Sequence, residues 1–366
     1  MTPAQSQRAE LVRFGVLGYG FIADAHAQAL AGVPDAEVAA VCGPREAPAR
    51  EFAERFGIGF VTTEPQRMLA ADIDAVVICT PDYAHHEQAL AAAAAGKHVF
   101  CEKPVAMNLE QANEMVAACE RANVRTMTGF LLRYAPIAEE LVKRVQAGGF
   151  GELVSIQTQR YNASLLRPDA AARWRLDESR SAAGVLSDLG SHMLDFSLLI
   201  GGPITHLAAS LRTVIKKVPD PATGETLPLT LDDDAVLALR FASGVHGTIA
   251  TSRVGHFDSD RPLGRAMIQI NGTKAAAVTD GVERAEVHRH GHSTEAIEPN
   301  LGPGVHDHAG VLATMSRRMF GEFVAAIRSG QDRPPTMRDG WQVQALVETA
   351  RRAAESGRWE EVPTAP

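Results

Sequence analysis

Short apolar runs alternate with amphipathic stretches of helical period from Val12 to about Gly129. The apolar runs have the length and composition of buried strands, and the stretches between them repeat apolar residues at helical spacing. The predicted strands are residues 12–17, 37–42, 60–61, 74–78, 98–101 and 125–128, and two of the predicted helices are residues 84–95 and 109–122. Gly96 is placed as the C-cap of the first of these helices. Strands that alternate with helices predict a doubly wound parallel sheet.

The pattern changes after Gly129. A helix at residues 135–146 precedes strands that have no regular helices between them, at residues 153–161, 205–214, 235–241, 245–253, 265–270 and 283–290. This order predicts a mainly antiparallel sheet. Helices at 310–329 and 339–356 close the chain, residues 218–230 are predicted to form a surface loop, and 363–366 a frayed tail. We therefore predict an α/β protein with domains 1–130 and 131–366, whose last helix packs back on the first domain.

Composition and charge narrow the class of protein. The chain has 366 residues, 45% of them hydrophobic, and a formal net charge of −8. This length suits two domains with packed cores, and the negative charge argues against nucleic-acid binding. The absence of a run of about 20 apolar residues and of a secretory signal predicts a cytoplasmic protein without membrane contact. The four cysteines form no C-x-x-C pair, so we expect reduced buried thiols rather than disulfides or a zinc site.

A glycine-rich turn follows the first predicted strand. It reads Gly18-Tyr19-Gly20-Phe21-Ile22-Ala23, the G-x-G-x-x-A form of the dinucleotide-binding fingerprint. Gly18 permits the tight turn, Gly20 lets a pyrophosphate approach the backbone, and Ala23 lets the following helix pack closely on the strand. The N-terminus of that helix then faces the phosphates. Within an alternating α/β segment, this motif predicts a Rossmann domain that binds NAD or NADP.

The end of the second predicted strand bears on the choice between these cofactors. In this fold an acid about 20 residues after the glycines contacts the adenosine ribose of NAD. Here the strand ends in Cys42-Gly43-Pro44-Arg45, without an acid. The missing carboxylate removes repulsion against a 2′-phosphate, and Arg45 can pair with one, which favours NADP. A solvated Arg45, with NAD held through backbone contacts, is an equal alternative.

Two more turns lie at the carboxyl end of the predicted sheet, where ligands bind in open α/β folds. One is Thr80-Pro81, with His85 shortly after it, and the other is Glu102-Lys103-Pro104. A lysine beside a nicotinamide can lower the pKa of a substrate hydroxyl or of a neighbouring base through its charge. Taken alone, Lys103 is better explained as a surface lysine. Pro104 fixes the turn, and a cis peptide bond is one way to build it.

The segment from Gly184 to Leu199 has polar residues at helical spacing. Asp188 and His192 are four residues apart and Asp195 lies three further on, so a helix over this segment places all three near one face. An aspartate and a histidine on one face can act as a base and its polar neighbour. The alternative, which the segment alone favours, is a helix N-terminus capped by Asp188 or Ser187 with a half-buried histidine.

Other side chains are weaker candidates. The arginines at 160, 167, 173, 175 and 180 can present guanidinium groups to an anionic substrate, although a solvated loop paired with its own acids explains them better. Tyr161 and Trp174 can offer a sugar ring an apolar face, or serve packing. The histidines at 288, 290 and 292 lie on one side of a strand, but no cysteine or carboxylate joins them, so no metal is expected.

The order of these motifs resembles the Gfo/Idh/MocA family of oxidoreductases. The resemblance covers almost the whole chain and rests on residues 18–23, 80–85, 102–104 and 184–195. It implies a Rossmann domain followed by an α/β domain with a large open sheet, with the active site between them. It also implies that Lys103, Asp188 and His192 are catalytic, with His192 as general acid/base and Lys103 assisting near the nicotinamide. A homo-oligomer, dimer or tetramer, built through the C-terminal sheet is implied as well.

The expected reaction is hydride transfer between a secondary hydroxyl of a sugar, polyol or glycoside and nicotinamide C4 of NAD or NADP. One alternative is an NAD-dependent, redox-neutral glycosidase that oxidises its substrate only transiently, and another is a cofactor-binding regulator without turnover. The expected cofactor contacts are Gly18, Gly20, Phe21, Ile22, Ala23, Gly43, Arg45, Thr80, Pro81, His85, Glu102 and Lys103. The expected contacts to a carbohydrate substrate are Lys103, Arg133, Tyr134, Tyr161, Trp174, Arg175, Asp188 and His192.

Overall fold

The chain was analysed as a computed structural model that describes residues 11–166, 177–182, 184–219, 225–256, 265–298 and 308–364. These residues form two compact units. The first consists of the described residues of Met1–Ala106, Glu110–Tyr134 and Pro303–Trp341, and the second of those of Met107–Leu109, Ala135–Gly302 and Gln342–Pro366. Among the described residues, the helices are too short or too polar to span a membrane.

A six-stranded parallel sheet forms the centre of the first unit, which confirms the prediction from the alternating pattern. The strands lie in the order β3-β2-β1-β4-β5-β6, so the strand order reverses between β1 and β4. Ligands bind at such a reversal, beyond the carboxyl ends of the strands. The central strands are apolar throughout because both faces of the sheet are covered. The strands are β1 (Val12–Leu17), β2 (Ala36–Cys42), β3 (Phe60–Thr62), β4 (Ala75–Ile78), β5 (His98–Cys101) and β6 (Thr126–Thr128).

Helices connect these strands. They are α1 (Phe21–Leu30), α2 (Glu46–Phe56), α3 (Pro65–Leu69), α4 (His85–Ala94) and α5 (Leu109–Arg121). Gly96, two residues after α4, has a φ of 69°, a left-handed conformation that residues with side chains rarely adopt. The C-cap of the helix is Ala95 rather than the predicted Gly96, which follows it in the left-handed conformation. All four cysteines are buried free thiols.

A helix from late in the chain completes the core of the first unit. In α8 (His308–Ser329), the ring of Phe320 lies 4.8 Å from that of Phe100 on β5 and 6.2 Å from that of Phe14 on β1, between ring centroids. Phe323 lies 6.1 Å from Phe14. These aromatic contacts place α8 in the first unit, whereas the sequence division at residue 130 grouped it with the later residues.

A nine-stranded, mainly antiparallel sheet dominates the second unit, as predicted. The strand order is β16-β15-β14-β13-β7-β12-β11-β8-β17, and the β7–β12 pair is parallel. One face packs against α7 (Ser191–Gly201), where Gly201 lies against Ile156 and Phe241. The strands are β7 (Leu153–Tyr161), β8 (Ile204–Arg212), β11 (Asp234–Phe241), β12 (His246–Ser252), β13 (Arg265–Gly272), β14 (Ala276–Thr279), β15 (Ala285–His288), β16 (Glu295–Ile297) and β17 (Glu360–Glu361). The remaining helices are α6 (Pro136–Gln146) and α9 (Met337–Ser356).

The predicted surface loop at residues 218–230 needs correction. Its two ends pair as a small antiparallel hairpin, β9 (Lys217–Pro219) and β10 (Thr226–Pro228), with Val218 opposite Leu227. Val218 and Leu229 are buried in a cluster with Leu165 and Leu231. The prolines and polar residues predicted a loop, but these apolar side chains anchor the segment to the unit. The residues between the two strands, 220–224, lie outside the described part of the chain.

Candidate active site

The glycine-rich turn has the shape that a dinucleotide requires. Gly18 has a φ of 102°, and a Cβ there would lie 2.8 Å from the carbonyl oxygen of Cys79. The Gly18 amide donates to the carbonyl of Cys42 at 2.8 Å, which ties the turn to the end of β2. No heavy atom lies within 4 Å of where a Cβ on Gly20 would be, and Gly20 is the N-cap residue of α1 and has no side chain to cap the helix. The open space and the free helix amides fit a pyrophosphate.

The other predicted cofactor residues of this region surround the turn. Ala23 is fully buried against the sheet, whereas Phe21, the first residue of α1, is 76% exposed, and Ile22 is half-buried. Gly43 is buried directly after β2, and the exposed Arg45 is the N-cap residue of α2. The ring of Tyr19 lies so close to Gly43 that any Cβ at residue 43 would overlap it. The sequence prediction passed over Tyr19.

His85 holds the Thr80 turn and the Lys103-Pro104 turn together. Its side chain is 1% exposed, and its Nδ1 and Nε2 lie 2.9 Å from the carbonyl oxygens of Pro104 and Thr80, respectively. The Thr80 hydroxyl donates to Gln88 at 2.7 Å, and the Lys103-Pro104 peptide is cis. His85 was predicted to contact the cofactor, but its ring nitrogens are engaged with backbone carbonyls. We therefore expect it to act by positioning the two turns.

A buried acid–base pair supports Lys103. Glu102 is 8% exposed, and its Oε1 lies 2.7 Å from Nε2 of His26 on α1. The other oxygen, Oε2, accepts the Lys103 amide at 3.2 Å. Burial alone would raise the pKa of Glu102, but the hydrogen bond from His26 and the charges of His26 and Lys103 lower it below its ordinary value. The side chain of Lys103 itself is half-buried.

The sequence analysis missed His26, although a signal for it exists. On α1, His26 belongs to the buried stripe that includes Ala23, Ala27 and Leu30. A polar side chain in such a stripe needs a buried partner, because an unpaired buried polar group is costly. The rings of Phe100 and Phe320 flank it, each 5.1 Å away between centroids.

In the second unit, the segment that carries Asp188 and His192 is helical from Val185 to Gly201. A single π-helical turn, Leu186–Gly190, precedes α7, and such turns are frequent at functional sites. The start of this segment is held by Asp232, whose side chain accepts the amides of Gly184 at 3.2 Å and Leu186 at 2.8 Å. The alternative that Asp188 or Ser187 caps the helix is therefore wrong. The sequence prediction did not include Asp232.

Asp188 is held by an arginine from another element. Its Oδ2 accepts Nη2 of Arg253 at 2.9 Å, and the Arg253 side chain, which follows β12, is only 5% exposed. Arg160 on β7 lies close enough for the Asp188 carboxylate to act on it: burial lowers the pKa of Arg160, and Asp188 opposes this shift. Asp188 and His192 are both half-buried, but Asp195 is 1% exposed, so the three polar residues are not equally accessible.

The predicted substrate residues differ in their surroundings. Tyr161 ends β7, opposite Ser252 on β12, and burial raises its pKa, with Asp234 adding to the shift. Arg133 pairs with Asp339 at 2.9 Å, and the Tyr134 hydroxyl donates to the carbonyl of Pro334 at 3.1 Å, both in the first unit. Residues outside the described part of the chain are Arg167, Arg173, Trp174 and Arg175. Within the described part, no three or more His, Cys, Asp or Glu side chains are arranged to hold a metal ion.

Two family models match the chain. The model described as the oxidoreductase family with an NAD-binding Rossmann fold matches residues 12–130. The model described as the GFO/IDH/MocA C-terminal domain matches residues 138–278. The Rossmann model covers the glycine-rich turn and Lys103, and the C-terminal model covers Asp188 and His192.

Comparisons with individual proteins agree over nearly the full length. The chain is 27% identical over 394 residues to levoglucosan dehydrogenase of Pseudarthrobacter phenanthrenivorans, covering 95% of this chain and 97% of that protein. It is 28% identical over 351 residues to inositol 2-dehydrogenase of Rhizobium meliloti, covering 95% and 98%. A solved structure of levoglucosan dehydrogenase in complex with NADH superposes with a TM-score of 0.88 at 25% identity, covering 96% of this chain and 99% of that one.

Proposed function

Because the chain belongs to the Gfo/Idh/MocA family and carries its NAD-binding Rossmann domain, we propose that it transfers hydride between a secondary hydroxyl of a sugar, polyol or glycoside and nicotinamide C4. The family assignment makes it an NAD-dependent oxidoreductase of the sugar and polyol class. Levoglucosan and inositol, which two relatives carry in their names, are cyclic compounds with several secondary hydroxyls. A substrate of this chemical kind is therefore our first choice.

The observation that carries the proposal is the pairing of Asp188 with the buried Arg253. Asp188 lies four residues before His192 on the same helical segment. A carboxylate bonded to a buried guanidinium is held in a fixed place. It can orient a neighbouring imidazole, as carboxylates do in other acid–base pairs. This leaves His192 as the group of the pair that accepts the hydroxyl proton in oxidation and returns it in reduction.

The first unit supplies the binding groups. The α1 amides and the open space at Gly20 would hold the pyrophosphate of NAD, which when bound supplies the hydride acceptor. Lys103 adds a positive charge at the carboxyl edge of the sheet, where it stabilises an alkoxide that develops on the substrate oxygen. Glu102 and His26 fix the backbone that carries this lysine, so its charge is presented from a defined position.

The test is a panel of sugars, polyols, acidic sugars and glycosides, with NADH followed by its absorbance and product by mass. We expect one mole of NADH for each mole of ketone formed. Product without accumulated NADH would instead indicate the redox-neutral glycosidase, which no observation on the described residues specifically favours. Failure of every compound to turn over, with NAD still bound, would point to a regulator without activity.

We also propose that the outer face of the second unit's sheet pairs two copies of the chain. Val236, Met267 and Val278 are 51%, 47% and 38% exposed. The strand registers place them on the face opposite the buried Ile268 and Leu237. A patch of this kind on a broad sheet is typical of a subunit interface.

Light scattering tests this interface directly. We expect a dimer or tetramer for the wild type and a smaller species for Val236→Glu, because a buried unpaired charge weakens an interface. Val214→Glu is the matched control, since Val214 is 44% exposed but lies outside the sheet. A wild-type monomer, or an unchanged assembly in Val236→Glu, would contradict the proposal.

A further inference from the structure

Tyr19, the residue between the first two glycines of the turn, has a defined place. Its half-buried ring lies directly over Gly43, where β2 ends. Both residues are held by the backbone around them: the Gly18 amide donates to Cys42 at 2.8 Å, and the Gly43 amide donates to Thr62 at 3.3 Å. The ring occupies the space next to the strand end, and the backbone on both sides of this contact is anchored.

The need for glycine at residue 43 is steric. Its φ lies outside the left-handed region, so the backbone conformation is open to any residue. A Cβ at this position would nevertheless overlap the Tyr19 ring. Gly43 and Tyr19 thus depend on each other, because the lack of a side chain at residue 43 leaves room for the Tyr19 ring.

This strand end is where Rossmann domains bind the adenosine ribose, through an acid that residue 43 does not provide. The acids on the neighbouring elements are already paired with arginines. Asp24 on α1 pairs with Arg55 at 2.7 Å, Glu46 on α2 with Arg50 at 2.5 Å, and Glu64 before α3 with Arg67 at 3.6 Å. Each of these carboxylates thus has an arginine within 4 Å, which favours recognition of the ribose through a different contact.

We propose that the Tyr19 ring is the surface against which the adenosine ribose of NAD rests, and that Gly43 is present to admit this ring in place of an acid. The inference rests on the NAD binding in the proposed function. The face of an aromatic ring can pack against the apolar side of a ribose. With Tyr19 and Gly43 in place, the ribose is bound without a carboxylate at residue 43.

Calorimetry with the full chain tests the contact, using NADH and ADP-ribose, which keeps the adenosine ribose and lacks only the nicotinamide ring. Tyr19→Ala is expected to weaken both ligands by about three- to tenfold, the range for one aromatic contact, and Tyr19→Phe to keep most of the affinity. Gly43→Ala is expected to weaken binding by displacing the ring. The double variant Tyr19→Ala/Gly43→Ala should then bind no worse than Tyr19→Ala.

A second pair of variants tests whether the ring takes the place of an acid. With the ring removed, Tyr19→Ala/Gly43→Asp is expected to raise the preference for NADH over NADPH at least about tenfold relative to Tyr19→Ala, since a carboxylate bonds the ribose and repels a 2′-phosphate. Unchanged NADH and ADP-ribose affinity in folded Tyr19→Ala would overturn the inference. So would a double variant, Tyr19→Ala/Gly43→Ala, whose loss of affinity equals the product of the two single losses. Absence of NADH binding in the wild type would instead contradict the NAD site itself.

Discussion

Two pairs of acidic and basic side chains lie close in the chain to Lys103 and His192, the residues of the proposed mechanism. In the first unit, Glu102 bonds His26 and the amide of Lys103. In the second unit, Asp188 bonds Arg253. The partner side chains are 1% exposed for His26 and 5% for Arg253, so water and salt screen these pairs little. Each pair thus fixes a polar group close in the chain to a residue of the proposed mechanism: Glu102 bonds the amide of Lys103, and Asp188 lies four residues before His192.

Arg253 is expected to act on turnover through Asp188. Replacing it by methionine keeps much of the side-chain volume but removes the guanidinium that bonds the carboxylate, so Asp188 is held less firmly in one position. We expect Arg253→Met to lower kcat at least about tenfold, with a smaller change in KM, as for loss of an interaction made in the transition state. Arg253→Lys should recover only part of the rate, because an ammonium lacks the planar fork of a guanidinium.

Steady-state kinetics over a range of pH, with NADH affinity and thermal unfolding as controls, measure the effect of Arg253. A purely structural role would lower the melting temperature without changing the shape of the pH profile. Wild-type kcat in a folded Arg253→Met enzyme would remove this arginine from the mechanism.

Glu102 is expected to make stability sensitive to acid. Its pKa is lower in the folded chain than in the unfolded one, so its contribution is fully present above the ordinary carboxyl pKa of about 4.3 and is lost as the pH falls through the folded value. Denaturant titrations at several pH values should therefore show a steeper acid loss of unfolding free energy for the wild type than for Glu102→Gln. Parallel curves would mean that Glu102 has the same pKa in both states.

Among the elements, the helical segment with Asp188 and His192 depends on a cap from a distant part of the chain. Asp232 bonds two amides at the start of this segment, whereas the side chain of Asp233 bonds the amides of Val214 and Ile215, each at 2.7 Å. Each substitution by alanine should destabilise the fold by about 1–3 kcal/mol, the cost of unpaired buried groups. Only Asp232→Ala should also lower kcat in the folded enzyme. Equal kcat in the two variants would contradict this role of the cap.

The elements that the sequence predicted well are those whose pattern is decided locally. The bounds of β1 and β5 agree with the prediction, because a parallel strand buried on both faces is a continuous apolar run. Gly18, Gly20 and Ala23 were likewise predicted from a local turn motif. The β9–β10 hairpin was missed because its order comes from the packing of Val218 and Leu229 rather than from strand periodicity.

At the scale of the whole molecule, the contacts that complete the candidate site join residues far apart in the chain. His26 and Glu102 are 76 residues apart, Asp188 and Arg253 are 65 apart, and Leu186 and Asp232 are 46 apart. Sequence spacing indicates which residues share a helix face, but not which distant side chain meets them. For this reason motifs suggested Lys103, Asp188 and His192 as candidates, while the contacts of Glu102 with His26 and of Asp188 with Arg253 became apparent only in the folded chain.

The central claim is that His192 carries the hydroxyl proton during hydride transfer, and turnover of His192→Ala on the best substrate found tests it most directly. The account predicts a loss of about 10²–10⁴-fold in kcat, the usual share of general acid/base catalysis, with NADH binding and fold retained. Lys103→Ala should also be impaired, and the double variant should lose far less than the product of the two effects, because in the proposed mechanism both residues serve the same proton transfer. Turnover of folded His192→Ala within about threefold of the wild type, far below that range, would contradict the account.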